Sequence, residues 1–195
     1  MKYKSILAAI VCSIFSCTYS EAQVHNFFVC GETGLGLGTH TSLKLALNAV
    51  VNKSIFTACF YHSSRRGPEV PADYDPFLWS DRETMDVFGL MYGRVIYTSN
   101  PYVRYTIKAG IGMGKVISPV DFVRYSGLLT NYTFTKREEA ITALLLNPTV
   151  DLPFSRGFGL SCGLFANVNL VSPAFGIEGS LLFGYLRNAE KKHSR

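Results

Sequence analysis

The chain contains no uninterrupted apolar run of the roughly 18 residues that a membrane-crossing helix needs, which excludes a helical membrane span. It has no CxxC pair. Of its five cysteines only Cys30, Cys59 and Cys162 lie beyond the first 22 residues, and an odd, widely spaced set argues against a disulfide framework and a zinc site. It also lacks a basic cluster: beyond residue 22 there are 17 basic and 13 acidic residues, a scattered net charge of +4, so no nucleic-acid partner is expected. A phosphate loop is missing too. Gly110-Ile111-Gly112-Met113-Gly114-Lys115 has Ala109 where such a loop needs its first glycine and Val116 where it needs Ser or Thr. Asp73, Asp75, Asp81, Glu83 and Asp86 are acidic without the regular spacing of a calcium loop. No cofactor or metal is expected.

The first 22 residues form the expected signal peptide: Lys2 and Lys4, an apolar stretch from Ile6 to Phe15, and small residues around Ser20-Glu21-Ala22. The mature chain is expected to begin near Gln23. Ile14-Phe15-Ser16-Cys17 is a rival lipoprotein cleavage site, disfavoured by the bulky Phe15.

After the leader the governing signal is alternation, with large apolar residues at every second position. In Ala174 to Leu186, Phe175, Ile177, Leu181, Phe183 and Tyr185 share one face and Gly176, Glu178, Ser180 and Gly184 the other. Gly157 to Leu170, Tyr102 to Lys115 and Thr41 to Val51 repeat the pattern. Phe27 to Thr39, Ser54 to Ser63, Asp86 to Tyr97 and Ile141 to Leu152, which Pro148 interrupts, complete a set of eight predicted strands. A soluble sandwich also alternates, so the pattern alone leaves the architecture open.

Connection lengths discriminate. Residues 52–53, 98–101 and 153–156 are short turns, whereas 64–85 and 118–140 are long and polar, and the short turns fall at every second connection. That asymmetry and the even strand number fit an eight-stranded antiparallel up-and-down transmembrane β-barrel, with tight turns on the periplasmic side of an outer membrane. Phe154, Phe158, Phe183, Tyr185 and Tyr97 would then form an aromatic belt at the periplasmic edge. Outer-membrane lipid is the expected partner along the wall, and loops 64–85 and 118–140 are the candidate surface contacts.

Period-two glycines, Gly34, Gly36 and Gly38 and then Gly110, Gly112 and Gly114, suit the tight interior of a barrel of this size. Glu32, Lys44, Arg104, Lys108 and Glu178 are the long inward candidates. Carrying both signs, they could pair as a lumen charge network that plugs the interior.

One motif admits chemistry. In His62-Ser63-Ser64, His62 and Ser64 project to the same face of a strand, where an imidazole could activate a hydroxyl. Outer-membrane lipid A deacylases carry a similar His-x-Ser arrangement, but Arg65 stands where they continue with asparagine, and no acid partner is fixed, Glu69 and Glu83 being available. The face is the one shared with Phe56 and Phe60, the lipid side.

Ala22-Gln23, the strand Val87 to Arg94, and the final hairpin from Phe165-Ala166-Asn167-Val168-Asn169 through Phe183-Gly184-Tyr185-Leu186-Arg187 resemble the small outer-membrane β-barrel proteins of Gram-negative bacteria. The resemblance implies eight strands and an outer-membrane location, and no reaction. A barrel domain over residues 23–187 with a polar tail at 188–195 departs from the group in one respect, since its members often end on an aromatic residue. The favoured expectation is a non-catalytic structural or surface-interaction barrel. The alternatives are a lipid A acyl hydrolase using His62 and Ser64, and a soluble periplasmic barrel with inward apolar faces that binds a small apolar ligand.

Overall fold

The computed structural model describes residues 27–74, 82–100, 102–124 and 131–186. The expected leader (1–22), Gln23, the tail (188–195) and Asp75, Pro76, Phe77, Trp79 and Asp81 lie outside the described residues.

Eight strands follow in chain order: β1 (Phe27–Gly38), β2 (Thr41–Val51), β3 (Ser54–Arg66), β4 (Arg82–Tyr97), β5 (Arg104–Arg124), β6 (Tyr132–Leu152), β7 (Phe158–Val168) and β8 (Ala174–Tyr185). Each pairs antiparallel with its chain neighbours, and β1 pairing with β8 closes the ring. The register follows from the alternation, because a one-residue slip would carry every large outer side chain inside. Leu35, Phe88, Leu90, Ile111, Met113 and Ile177 point outward and are 62% to 69% exposed, while Glu32, Lys44, Lys108 and Asn147 point inward and are at most 3% exposed. This is the reverse of the inward apolar faces that a soluble ligand-binding barrel requires.

The expected loops 64–85 and 118–140 are shorter than the sequence suggested. Strand β3 continues to Arg66, β4 starts at Arg82, β5 runs to Arg124 and β6 starts at Tyr132, which leaves connections at 67–81 and 125–131. Alternation of hydrophobicity fades over these segments, but Val116-Ile117, Val120, Phe122-Val123 and Tyr132-Thr133-Phe134-Thr135 still favour extended backbone. At 21 residues each, β5 and β6 are about twice the length needed to cross a bilayer. Their far ends project as a ribbon. A bulge between Val120 and Val123 bends it, with Asp121 at φ 56°.

The interior is also less polar than the alternation suggested. Met85, Val87, Met91 and Val95 make the inward face of β4 apolar, and Met85, Val87 and Met91 join Tyr61, Leu145 and Phe165 in one buried cluster. A lumen closed to water accepts apolar and paired polar side chains alike. Glycine makes the room: a Cβ on Gly36 would stand 2.7 Å from the Phe165 ring, and one on Gly112 2.6 Å from Val87.

Pro148 lies inside β6 without breaking it. It is in register with Ile107 of β5, but the β6–β7 ladder skips residues 147 and 148, since proline has no amide to donate. The Asn147 side chain fills the gap by donating from Nδ2 to the Leu164 carbonyl at 2.8 Å.

Candidate functional site

Alternate positions on eight strands aim polar side chains at the barrel axis, where they gather at three levels. At mid-height, Lys44 Nζ donates to Glu32 Oε1 at 2.5 Å, Glu178 Oε1 at 2.6 Å and Asn147 Oδ1 at 2.9 Å, which uses all three ammonium hydrogens. Glu32 Oε2 accepts from Asn48 Nδ2 at 3.0 Å and from Lys108 Nζ at 3.3 Å, and Thr57 Oγ1 donates to Asn48 Oδ1 at 2.6 Å. Two lysines and two glutamates balance in charge, so enclosure leaves no net ion behind.

Toward the end carrying the short turns, Arg104 does not join that cluster. Its Nε donates to Asp151 Oδ2 at 3.0 Å and its Nη1 to the Leu186 carbonyl at 3.2 Å. Thr106, Thr149 and Ser161 complete the Asp151 carboxylate. The structure therefore divides the five sequence candidates, four in one cluster and Arg104 in another. Asp151 escaped sequence reasoning because Pro148 obscured the parity of its strand, although counting in twos from Ile141 puts it inside.

At the opposite, loop end, His40 and Ser172 meet Glu83. Arg65 Nε donates to Glu83 Oε1 at 2.7 Å, Ser118 Oγ donates to Glu83 Oε2 at 3.0 Å, and His40 Nε2 lies 3.1 Å from Ser172 Oγ. Ser172 Oγ also bonds Glu83 Oε1. An ionised carboxylate only accepts, so the serine proton points at Glu83 and His40 is the donor to the hydroxyl. A serine nucleophile needs the opposite, a histidine that accepts its proton. The trio is buried as well, and it braces the lumen's upper end. Two turns converge here: Thr39-His40, and residues 169–173, where Asn169 Oδ1 accepts from the Val171 and Ser172 amides.

On the outer face, His62 and Ser64 share a side of β3 but no hydrogen bond joins them. The acid beside His62 is neither Glu69 nor Glu83. Strand register sets His62 against Asp86, and His62 Nδ1 lies 2.7 Å from Asp86 Oδ1. Asp86 had been visible as the start of a predicted strand and as one of five scattered acids; its pairing depends on the β3–β4 register, which no local pattern announces.

Above this level the β5–β6 ribbon carries an aromatic group. Phe122 packs against Tyr74, Tyr132 and Phe134 with ring centroids 5.4 to 6.4 Å apart. The Tyr132 hydroxyl donates to Asp73, a bond that raises the phenol's pKa and ties the 67–74 segment to the ribbon. At the far end, Phe158, Phe183 and Tyr185 point outward as the aromatic belt requires, and Phe154 is exposed in the adjoining turn. Tyr97 does not join them; it takes the inward parity and donates to the Asn52 carbonyl in the neighbouring β2–β3 turn.

The three cysteines among the described residues are free, with Cys30 and Cys59 buried inside and Cys162 exposed on the wall. Among the described residues no group of His, Cys, Asp and Glu is placed to hold a metal ion.

No protein-family model matches the chain, and no curated protein matches it. Solved structures do. The N-terminal β-barrel domain of Pseudomonas aeruginosa OprF superposes with a TM-score of 0.53 at 9% identity, covering 81% of this chain and 97% of that one. Neisserial surface protein A gives 0.53 at 10% identity, covering 82% and 97%. The Yersinia pestis outer membrane protein Ail, in a phospholipid bilayer nanodisc, gives 0.51 at 11% identity, covering 82% and 100%. The fold is thus that of eight-stranded outer-membrane barrels.

Proposed function

We propose that the chain is an outer-membrane β-barrel with a structural or surface-contact role and no catalytic activity in its lumen. The observation that carries this reading is the outer wall. Its dense band of exposed apolar side chains thins out above the row His62, Asp86 and Lys115, where β5 still carries half-buried Ile117 and exposed Val123, while β3, β4, β5 and β6 run on beyond it. A wall that meets lipid below and water above supplies a membrane anchor and a raised platform in one piece. Lipid is the partner along the wall, and a surface partner would meet the 67–74 segment and the β5–β6 ribbon.

The reading is tested by fractionating cells that express the native gene and comparing unheated with boiled samples on a gel. Recovery with outer membranes and a heat-dependent shift in mobility is expected. Recovery in the soluble periplasm would overturn it.

A second reading, a lipid A acyl hydrolase using His62 and Ser64, is favoured by one observation. Asp86 at Nδ1 is the position a carboxylate occupies when it orients a catalytic histidine, leaving Nε2 for the hydroxyl. Fatty acid released from lipid A by the wild type and lost in Ser64→Ala would support it; equal release by both would remove it.

A further inference from the structure

We infer that Arg94 and Lys53 bind the phosphate of an acidic phospholipid in the leaflet at the short-turn end, with one acyl chain of that lipid lying in the groove beside Pro148. The inference rests on the membrane reading above and names a lipid for one place on the wall. Arg94 has the outward parity of β4 and is exposed. Below the row His62, Asp86 and Lys115 it is the one charged side chain that a strand turns outward, among the described residues. Its neighbours along the strand are Tyr92 and Ile96, and across it Ser54 of β3 and Ile107 of β5. None is an acid.

A lipid-facing arginine is costly at the centre of a bilayer and cheap near its surface. The depth of Arg94 agrees with the second case. It lies eight residues down β4 from Asp86, about 27 Å along a strand and roughly 20 Å of height for a strand tilted about 40°, against an apolar band about 25 Å tall. Its backbone is therefore just inside the far interface, and its long side chain reaches the headgroups. The β2–β3 turn comes down to the same level, since the Lys53 carbonyl accepts from the Val95 amide at 2.8 Å, and this sets exposed Lys53 beside Arg94.

Among the described residues no hydrogen bond or ion pair engages the side chain of either cation. The Ser54 and Tyr92 hydroxyls lie 3.2 Å apart next to them, and two hydroxyls joined by one hydrogen bond leave an O–H to donate. The place is thus all donors, with a guanidinium fork that matches phosphate oxygens in pairs. On its other side the wall is hollow. The β6–β7 ladder skips residues 147 and 148, and a groove of about 440 Å³ lies there, lined by Ile96, Ile107, Val150, Cys162 and Leu164. Ile96 and Ile107 also flank Arg94, so the anion site opens onto the apolar groove. A free anion would leave that groove unused; a lipid fills both.

The test titrates the full chain, folded in a neutral detergent, with dioleoylphosphatidylglycerol or with dioleoylglycerol, which has the same chains and no phosphate, and counts retained lipid by native mass spectrometry. Wild type should retain the phosphorylated lipid preferentially, by about fivefold per cation. Lys53→Gln/Arg94→Gln should retain both lipids equally, whereas Arg66→Gln, at the loop end, should behave as wild type. Arg94→Lys preserves the charge if the neutral variant does not fold, and should keep a reduced preference. Cys162→Phe fills the groove without changing charge and should weaken retention of phosphatidylglycerol with both cations in place. Equal retention of both lipids by wild type, undiminished preference in the double variant, or displacement of the lipid by equimolar inorganic phosphate overturns the site. Unchanged retention by Cys162→Phe overturns the part given to the groove. A wild type without a heat-dependent gel shift overturns the membrane reading instead.

Discussion

Lys44 sits where a single side chain governs two buried acids. Its bonds to Glu32 and Glu178 are both short, and its own exposure is 1%. Replacing it with methionine keeps much of the volume and removes the cation, leaving Glu178 without an ammonium partner and Glu32 with Lys108 at 3.3 Å. Breaking a buried pair by deleting one member costs about 3–5 kcal/mol. Lys44→Met should therefore lower the unfolding free energy of the inserted protein by roughly that amount in urea titrations, and adding Glu178→Gln should restore part of it. A loss below about 1 kcal/mol, the range of an exposed pair, would mean that water reaches the cluster. The five long inward residues were legible one at a time from parity. Their division into two clusters was not, because which inward side chains meet depends on the stagger of eight strands around the ring.

At the scale of the strand, β6 depends on two adjacent residues. Pro148 withdraws an amide from the β6–β7 ladder, and Asn147 supplies the missing donor to Leu164 while also bonding Lys44 and Glu178. Asn147→Ala should be costly, since it leaves a buried carbonyl and two ions short of partners, about 1–3 kcal/mol for each unsatisfied group. Pro148→Ala restores a backbone donor at the same gap. The double variant should lose less stability than the two single losses summed, a coupling that a double-mutant cycle in the same urea assay measures. Strict additivity would show that Asn147 does not stand in for the proline amide. From the sequence, Pro148 read as an interruption of a weak strand. The strand itself was expected over Ile141 to Leu152 despite the proline, but a side-chain substitute for a backbone donor is a tertiary fact. The long ends of β5 and β6 were hidden for a different reason: alternation reports a wall with an apolar outside and a packed lumen, and beyond the closed ring that division is gone.

For the whole molecule, the decisive property is that the ring is closed and its axis is filled. The Arg104 group occupies the short-turn end, the Lys44 group the middle and the Glu83 group the loop end, with Tyr61, Leu145, Phe165 and the β4 side chains between them. An ion crossing this axis would have to displace balanced pairs and packed rings together, and an eight-stranded ring has no spare width beside them. The purified protein in a planar bilayer should therefore give no stable conductance steps. Tyr61 and Phe165 stack with centroids 6.4 Å apart across the lumen. Removing them together, as Tyr61→Ala/Phe165→Ala, leaves a void bordered by charged groups, which water would enter. That variant should show small, flickering conductance if it still gives the heat-dependent gel shift. Regular ohmic steps from the wild type would make the lumen a pore, and the three polar levels would then be a gate and not a plug.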